Sequence, residues 1–112
     1  MAKVEIVRSL LDEIKKKFKG ESHNIIDLLE TLEDNPHKGK IVGQVAGLLI
    51  KELRYKSFRF YFIVEGNKLR VFSREGLIDL FLRVVRMSDK RSQQRVIDEI
   101  KNILMKFGEE GF

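Results

Sequence analysis

The sequence predicts one α+β domain of 112 residues, and three observations predict it. Residues 58–64 form a run of aromatic and β-branched residues with no helix breaker, which favours a strand. Two short stretches before it and one longer stretch after it carry apolar residues at helical spacing. Gly, Asn and Pro punctuate the chain between these pieces. The expected architecture is an N-terminal helical hairpin packed on a mainly antiparallel sheet of about four strands, followed by a C-terminal helix.

Taken in order, residues 3–7 read as a short first strand, with one helix running from Val4 onward as the alternative. Ser9 and Asp12 fit a capping box before a helix over 10–18, in which Leu10, Leu11, Ile14 and Phe18 share a stripe. Lys15, Lys16 and Lys17 suit its last turn, where cations meet the helix dipole. Asn24 and Asp27 repeat the cap pattern before a second helix over 25–33, closed by Asn35 and Pro36. Neither helix is long enough to be stable alone, so both need a sheet to pack on.

Gly39, Gly43 and Gly47 are read as loop or strand-entry glycines, since no Gly-Lys-Ser/Thr sequence follows to make a phosphate loop. Residues 48–54 are the next strand. Lys56 and Ser57 reverse the chain into the strand at 58–64. In a strand alternate residues share a face, so Phe58, Phe60, Phe62 and Val64 are expected in the core, with Arg59, Tyr61 and Ile63 on the opposite, cation-bearing face. A turn at 65–67, a strand at 68–73 and a turn at 74–76 follow. Residues 77–87 fit a helix by leucine spacing, but the β-rich run from Leu80 favours a strand over 80–87. Ser92 is the expected cap of a last helix over 93–106, which Gly108 ends.

Composition narrows the class. The length fits a single domain, residues 1–112, and 43% hydrophobic residues supply a core. No apolar run approaches the ~20 residues of a membrane span, and no signal-peptide pattern is present, so a cytoplasmic protein is expected. The absence of cysteine excludes disulfides and thiolate metal sites. The net charge of +5 is unevenly placed: residues 1–37 carry 6 Lys/Arg against 8 Asp/Glu, and residues 38–112 carry 16 against 9. A basic half suggests a polyanionic partner, although a solvated Lys-rich surface explains the charge equally simply.

No ordinary hydrolytic or metal site is legible. His23 and His37 fall in expected loops without metal-ligand spacing, and no serine has a triad partner. What remains is a set of cations and phenols: Lys51, Arg54, Tyr55, Lys56, Arg59 and Tyr61, then Arg83, Arg86, Lys90, Arg91 and Arg95. If the strand at 80–87 neighbours the strand at 58–64, Arg59 and Arg86 converge. Converging arginines bind phosphate and stabilise the added charge of a phosphoryl transition state. An ion-paired sheet surface using Glu52, Asp89 and Glu99 is the competing account, and spacing does not separate the two.

Three motifs carry a resemblance: Lys51-Glu52-Leu53-Arg54, Phe58-Arg59-Phe60-Tyr61-Phe62, and Val85-Arg86-Met87-Ser88-Asp89-Lys90. They resemble the RelE/ParE superfamily of toxins from type II toxin–antitoxin systems, most of all its HigB-like branch, over most of residues 25–106. The resemblance implies a compact microbial RNase fold and a metal-independent endoribonuclease, without cofactor, that cleaves mRNA on the ribosome and inhibits translation. In such toxins the mRNA 2′-hydroxyl attacks the adjacent phosphate. Carried over by position, Arg54, Arg59, Tyr61, Arg86 and Lys90 are the implied catalytic set, and Lys51, Lys56, Arg83, Arg91 and Arg95 the implied RNA-binding set. The implied partners are a cognate acidic antitoxin, the ribosome and mRNA, with a homodimer also open and no membrane. The sequence departs from the pattern at Glu52, where several members have a lysine that acts as base, and in lacking the C-terminal tyrosine some members use. The ParE branch poisons gyrase with the same fold, so a non-catalytic binding protein is the alternative.

Overall fold

The computed structural model describes residues 2–64 and 80–112. The turn expected at 65–67, the strand at 68–73 and the turn at 74–76 lie outside the described residues. The elements in order are β1 (Ala2–Ile6), α1 (Arg8–Lys17), α2 (Ser22–Glu30), a 3-10 turn (Thr31–Glu33), β2 (Lys40–Val45), β3 (Leu48–Tyr55), β4 (Phe58–Val64), β5 (Leu80–Ser88) and α3 (Gln93–Phe107). Gly108–Gly111 forms a closing 3-10 turn.

The five strands make one sheet in the order β1-β5-β4-β3-β2. β1 runs parallel to β5, and the other three pairings are antiparallel. The α+β class is therefore as expected, with five described strands in place of about four. The stretch of β2 carries glycines that the sequence reads as loop or strand-entry residues, and they obscured a full strand that needs only the turn after it. That turn is Ala46-Gly47, both with positive φ (52° and 79°). Positive φ at both central residues matches the right-handed twist of a tight hairpin, and Gly47 takes it without a Cβ clash.

Helix starts differ from the expected caps. α1 begins after Val7, and α2 after Glu21, and neither has a side-chain cap bond. The Ser9 and Asn24 capping boxes are thus replaced by earlier starts, and His23 lies within α2 rather than in a loop. Burial of Leu10 and Ile14 on α1, and of Ile25 and Leu29 on α2, fixes both helices against the sheet. This packing outweighs what a cap contributes, about 1 kcal/mol.

Both faces of the sheet are covered. Phe60 and Phe62 are fully buried on one face, where Phe58 meets Phe18 of the segment after α1 edge-on, centroids 4.9 Å apart. On the other face α3 crosses toward β2, bringing the Lys101 side chain against Gly43 beside Ile50. Tyr61 and Ile63 of that second face are also fully buried. The expectation that this face presents its cations to solvent is corrected here: α3 turns it into a second core layer. No helix among the described residues is long and apolar enough to cross a membrane.

Candidate functional site

Strand register decides which charged groups can meet. Across β3 and β4, Glu52 stands opposite Tyr61 and Arg54 opposite Arg59. Across β4 and β5, Arg59 stands opposite Ser88 and Tyr61 opposite Arg86. Directly opposed residues share a face, so Glu52, Arg54, Arg59, Tyr61, Arg86 and Ser88 all occupy the α3 face. Lys51, opposite Phe62, is on the α1 and α2 face.

A β-bulge completes this arrangement. Tyr61 pairs with Arg86 and Phe62 with Val84, so Val85 is the extra residue. Arg83, opposite Ile63, and Arg86 are three apart, an odd spacing that a regular strand sends to opposite faces. The inserted Val85 reverses the phase and puts both arginines on the α3 face. Val85 itself is fully buried.

Within this face the side chains divide into supports and presented groups. Arg59 is 6% exposed and Glu52 7%, and Arg59 Nε lies 2.9 Å from Glu52 Oε1. The N–H does not point along that line, so the contact is an ion pair without an aligned hydrogen bond. Arg59 also donates to the Ser57 carbonyl at 3.2 Å. Tyr61 is fully buried, its hydroxyl 2.7 Å from Ser88 Oγ. Burial pushes the Tyr61 phenol above its ordinary value, with the Glu52 charge adding to that and the Ser88 bond and Arg59 opposing it. Arg59 was expected to face outward; it is instead tied down beneath the surface, because a buried guanidinium needs a counter-charge and Glu52 supplies it.

Arg86 is half-buried. It donates to Glu99 of α3 at 3.1 Å and to the Val85 carbonyl at 2.8 Å, and its guanidinium lies 5.0 Å from the Phe112 ring centroid. Arg54 is exposed. Arg83 pairs with Glu5 on β1 at 3.1 Å. Lys90 and Arg91 are exposed in the loop between β5 and α3. Arg95 lines an open groove of about 660 Å³ along α3 with Asp98, Glu99, Asn102 and Lys106.

Two predicted RNA-binding residues are placed elsewhere. Lys51 is 8% exposed on the α1 and α2 face, where its ammonium donates to the His37 carbonyl at 3.0 Å and lies 5.9 Å from the Phe62 ring centroid. Burial lowers its pKa. It fastens the segment before β2 and does not reach a surface ligand. Lys56, in the turn between β3 and β4 with φ 53°, pairs with Glu21, which also accepts from the Tyr55 hydroxyl. Glu21 is the contributor that the sequence left unassigned, because it is distant in the chain from Lys56 and Tyr55, whereas Glu52 and Glu99 pair with Arg59 and Arg86 as the ion-paired account of the sheet surface has it.

The described residues thus define an α+β protein whose mixed sheet carries a buried Glu52–Arg59–Tyr61–Ser88 cluster beside Arg54 and Arg86. Compared with protein-family models, curated proteins and solved structures, the chain gave no match.

Proposed function

We propose that this chain is the toxin of a type II toxin–antitoxin pair, of RelE/ParE-like fold, and that it inhibits translation by cutting mRNA on the ribosome. Support comes from the three motifs that resemble that superfamily and from a helical hairpin packed on a mainly antiparallel sheet. The observation that carries the reading is the common face of Arg54 and Arg86, with Arg86 oriented by Glu99 and the Val85 carbonyl. In this reading Arg54 and Arg86 hold the scissile phosphate and stabilise its extra charge as the 2′-hydroxyl attacks. Lys90, exposed in the loop that follows β5, gives a proton to the leaving 5′-oxygen as its bond to phosphorus breaks, and water takes the proton of the attacking 2′-hydroxyl. Arg59 and Tyr61, their cross-strand neighbours, support the two arginines from the side.

A second reading, a toxin of the same fold that acts by binding alone, is favoured by one observation: Arg59, Tyr61 and Arg86 all have internal partners already. Expression in cells with mapping of mRNA ends separates the two. Cuts that appear with the wild-type chain and vanish with Arg54→Ala or Arg86→Ala support cleavage. Growth arrest without cuts supports binding alone. Growth that proceeds normally with every form of the protein sinks both. Co-expression with the adjacent reading frame and a pull-down tests for the acidic antitoxin, which charge would steer toward Arg54 and the 83–95 group.

A further inference from the structure

One end of the sheet gathers cations from three separate segments. The last turn of α1 supplies Lys15, Lys16 and Lys17, the β3–β4 turn supplies Lys56, and the loop after β5 supplies Lys90 and Arg91; all six are exposed. Contacts hold the segments together. The Lys17 ammonium lies 4.8 Å from the Phe58 ring centroid, Phe18 packs edge-on against the same ring, and the Asp89 carboxylate feels the Lys17 charge.

Two carboxylates at this pole are already engaged. Glu21 holds Lys56 and Tyr55. Asp89 accepts from the Ser92 amide at 2.8 Å and from its hydroxyl at 2.9 Å. Lys15, Lys16, Lys90 and Arg91 have no carboxylate partner among the described residues. The α1 dipole favours cations in its own last turn, but it acts over that turn only and does not explain the convergence of Lys56, Lys90 and Arg91 there.

We propose that this pole binds the phosphate backbone of structured RNA. The inference rests on the RNA-directed reading above for the kind of polyanion, and it adds a surface that shares only Lys90 with the proposed cleavage site. Exposed point charges without a shaped pocket suit sequence-independent phosphate contacts, which supply affinity and position without reading bases. In this arrangement the pole anchors folded RNA while the α3 face addresses the strand to be cut.

The test is binding of a short RNA duplex over a salt series, with circular dichroism to verify folding. The triple variant Lys16→Gln, Lys17→Gln, Arg91→Gln is expected to bind at least tenfold more weakly, and the slope of log affinity against log salt to fall by about 2 to 3. A control, Lys3→Gln with Lys106→Gln, removes charge at the opposite end of the molecule, about 20 Å along α3 in the case of Lys106, and keeps the wild-type slope. An unchanged slope in the triple variant overturns the proposal, as does a wild-type protein that binds an acidic peptide at this pole but no RNA. If cells show no mRNA cuts while the slope difference holds, the cleavage reading fails and the RNA surface stands.

Discussion

Glu52 and Arg59 form a buried ion pair on neighbouring strands, 2.9 Å apart and each less than a tenth exposed. Removing one partner leaves the other charged and desolvated, which typically costs about 3–5 kcal/mol, a large part of a small domain's margin of about 5–15 kcal/mol. Arg59→Ala and Glu52→Gln are therefore expected to lower the urea midpoint sharply, whereas Arg59→Met with Glu52→Leu recovers most of the loss. If Arg59→Ala unfolds at the wild-type midpoint, the pair is not a support. Any loss of toxicity in the single variant is then read as loss of fold unless the double variant restores stability without toxicity.

Tyr61 and Ser88 share one buried hydroxyl contact across β4 and β5. Tyr61→Phe leaves Ser88 Oγ without its partner, at about 1–3 kcal/mol. The pH dependence follows from the raised phenol pKa. Above about 10 the unfolded chain loses the Tyr61 proton while the native chain keeps it, so the unfolded state binds fewer protons and stability falls with rising pH. Thermal melts between neutral pH and about pH 11 should show a decline that is shallower in Tyr61→Phe.

Lys51 has the opposite sign. Burial lowers its pKa from the ordinary 10.5, so between the folded and unfolded values the unfolded chain binds more protons and stability rises with pH. Below the folded value the desolvation penalty is present in full. Lys51→Met removes that penalty and leaves the His37 carbonyl, in an exposed segment, to water. The variant should melt no lower than wild type near neutrality and lack the alkaline rise. A marked drop in its melting temperature would show that the lysine contact to His37 outweighs its desolvation.

Arg86 and Glu99 provide the test of chemistry. Their ion pair is partly exposed and contributes at most about 1 kcal/mol, so Arg86→Ala should fold nearly as well as wild type. Loss of a donor aimed at developing charge typically reduces rate by about 10²–10³. mRNA cutting should fall by that factor, and Glu99→Gln, which keeps an oxygen to accept from Arg86 Nε, should lower it by far less. Equal cutting by Arg86→Ala and wild type removes Arg86 from the site.

The hydrophobic core tests the fold independently of function. Phe60 is fully buried in the central strand, and Phe60→Ala should cost about 3–5 kcal/mol. A denaturation midpoint unchanged by this substitution contradicts the packing of α1 and α2 on the sheet.

The sequence by itself determined the α+β class, the strand at Phe58–Val64, the strand from Leu80 and the last helix, because each rests on local periodicity and β-branched or aromatic content. It also determined that Arg59 and Tyr61 share a face, since alternation along one strand needs no neighbour. The tertiary structure alone decided that this face is buried, because covering it depends on where α3 returns after β5. It decided that Arg83 and Arg86 share a side, because the Val85 bulge exists only in the register between two strands. And it decided that Lys17 joins Lys56 and Lys90 at one pole, because residues far apart in the chain are brought together by packing, which no local pattern records.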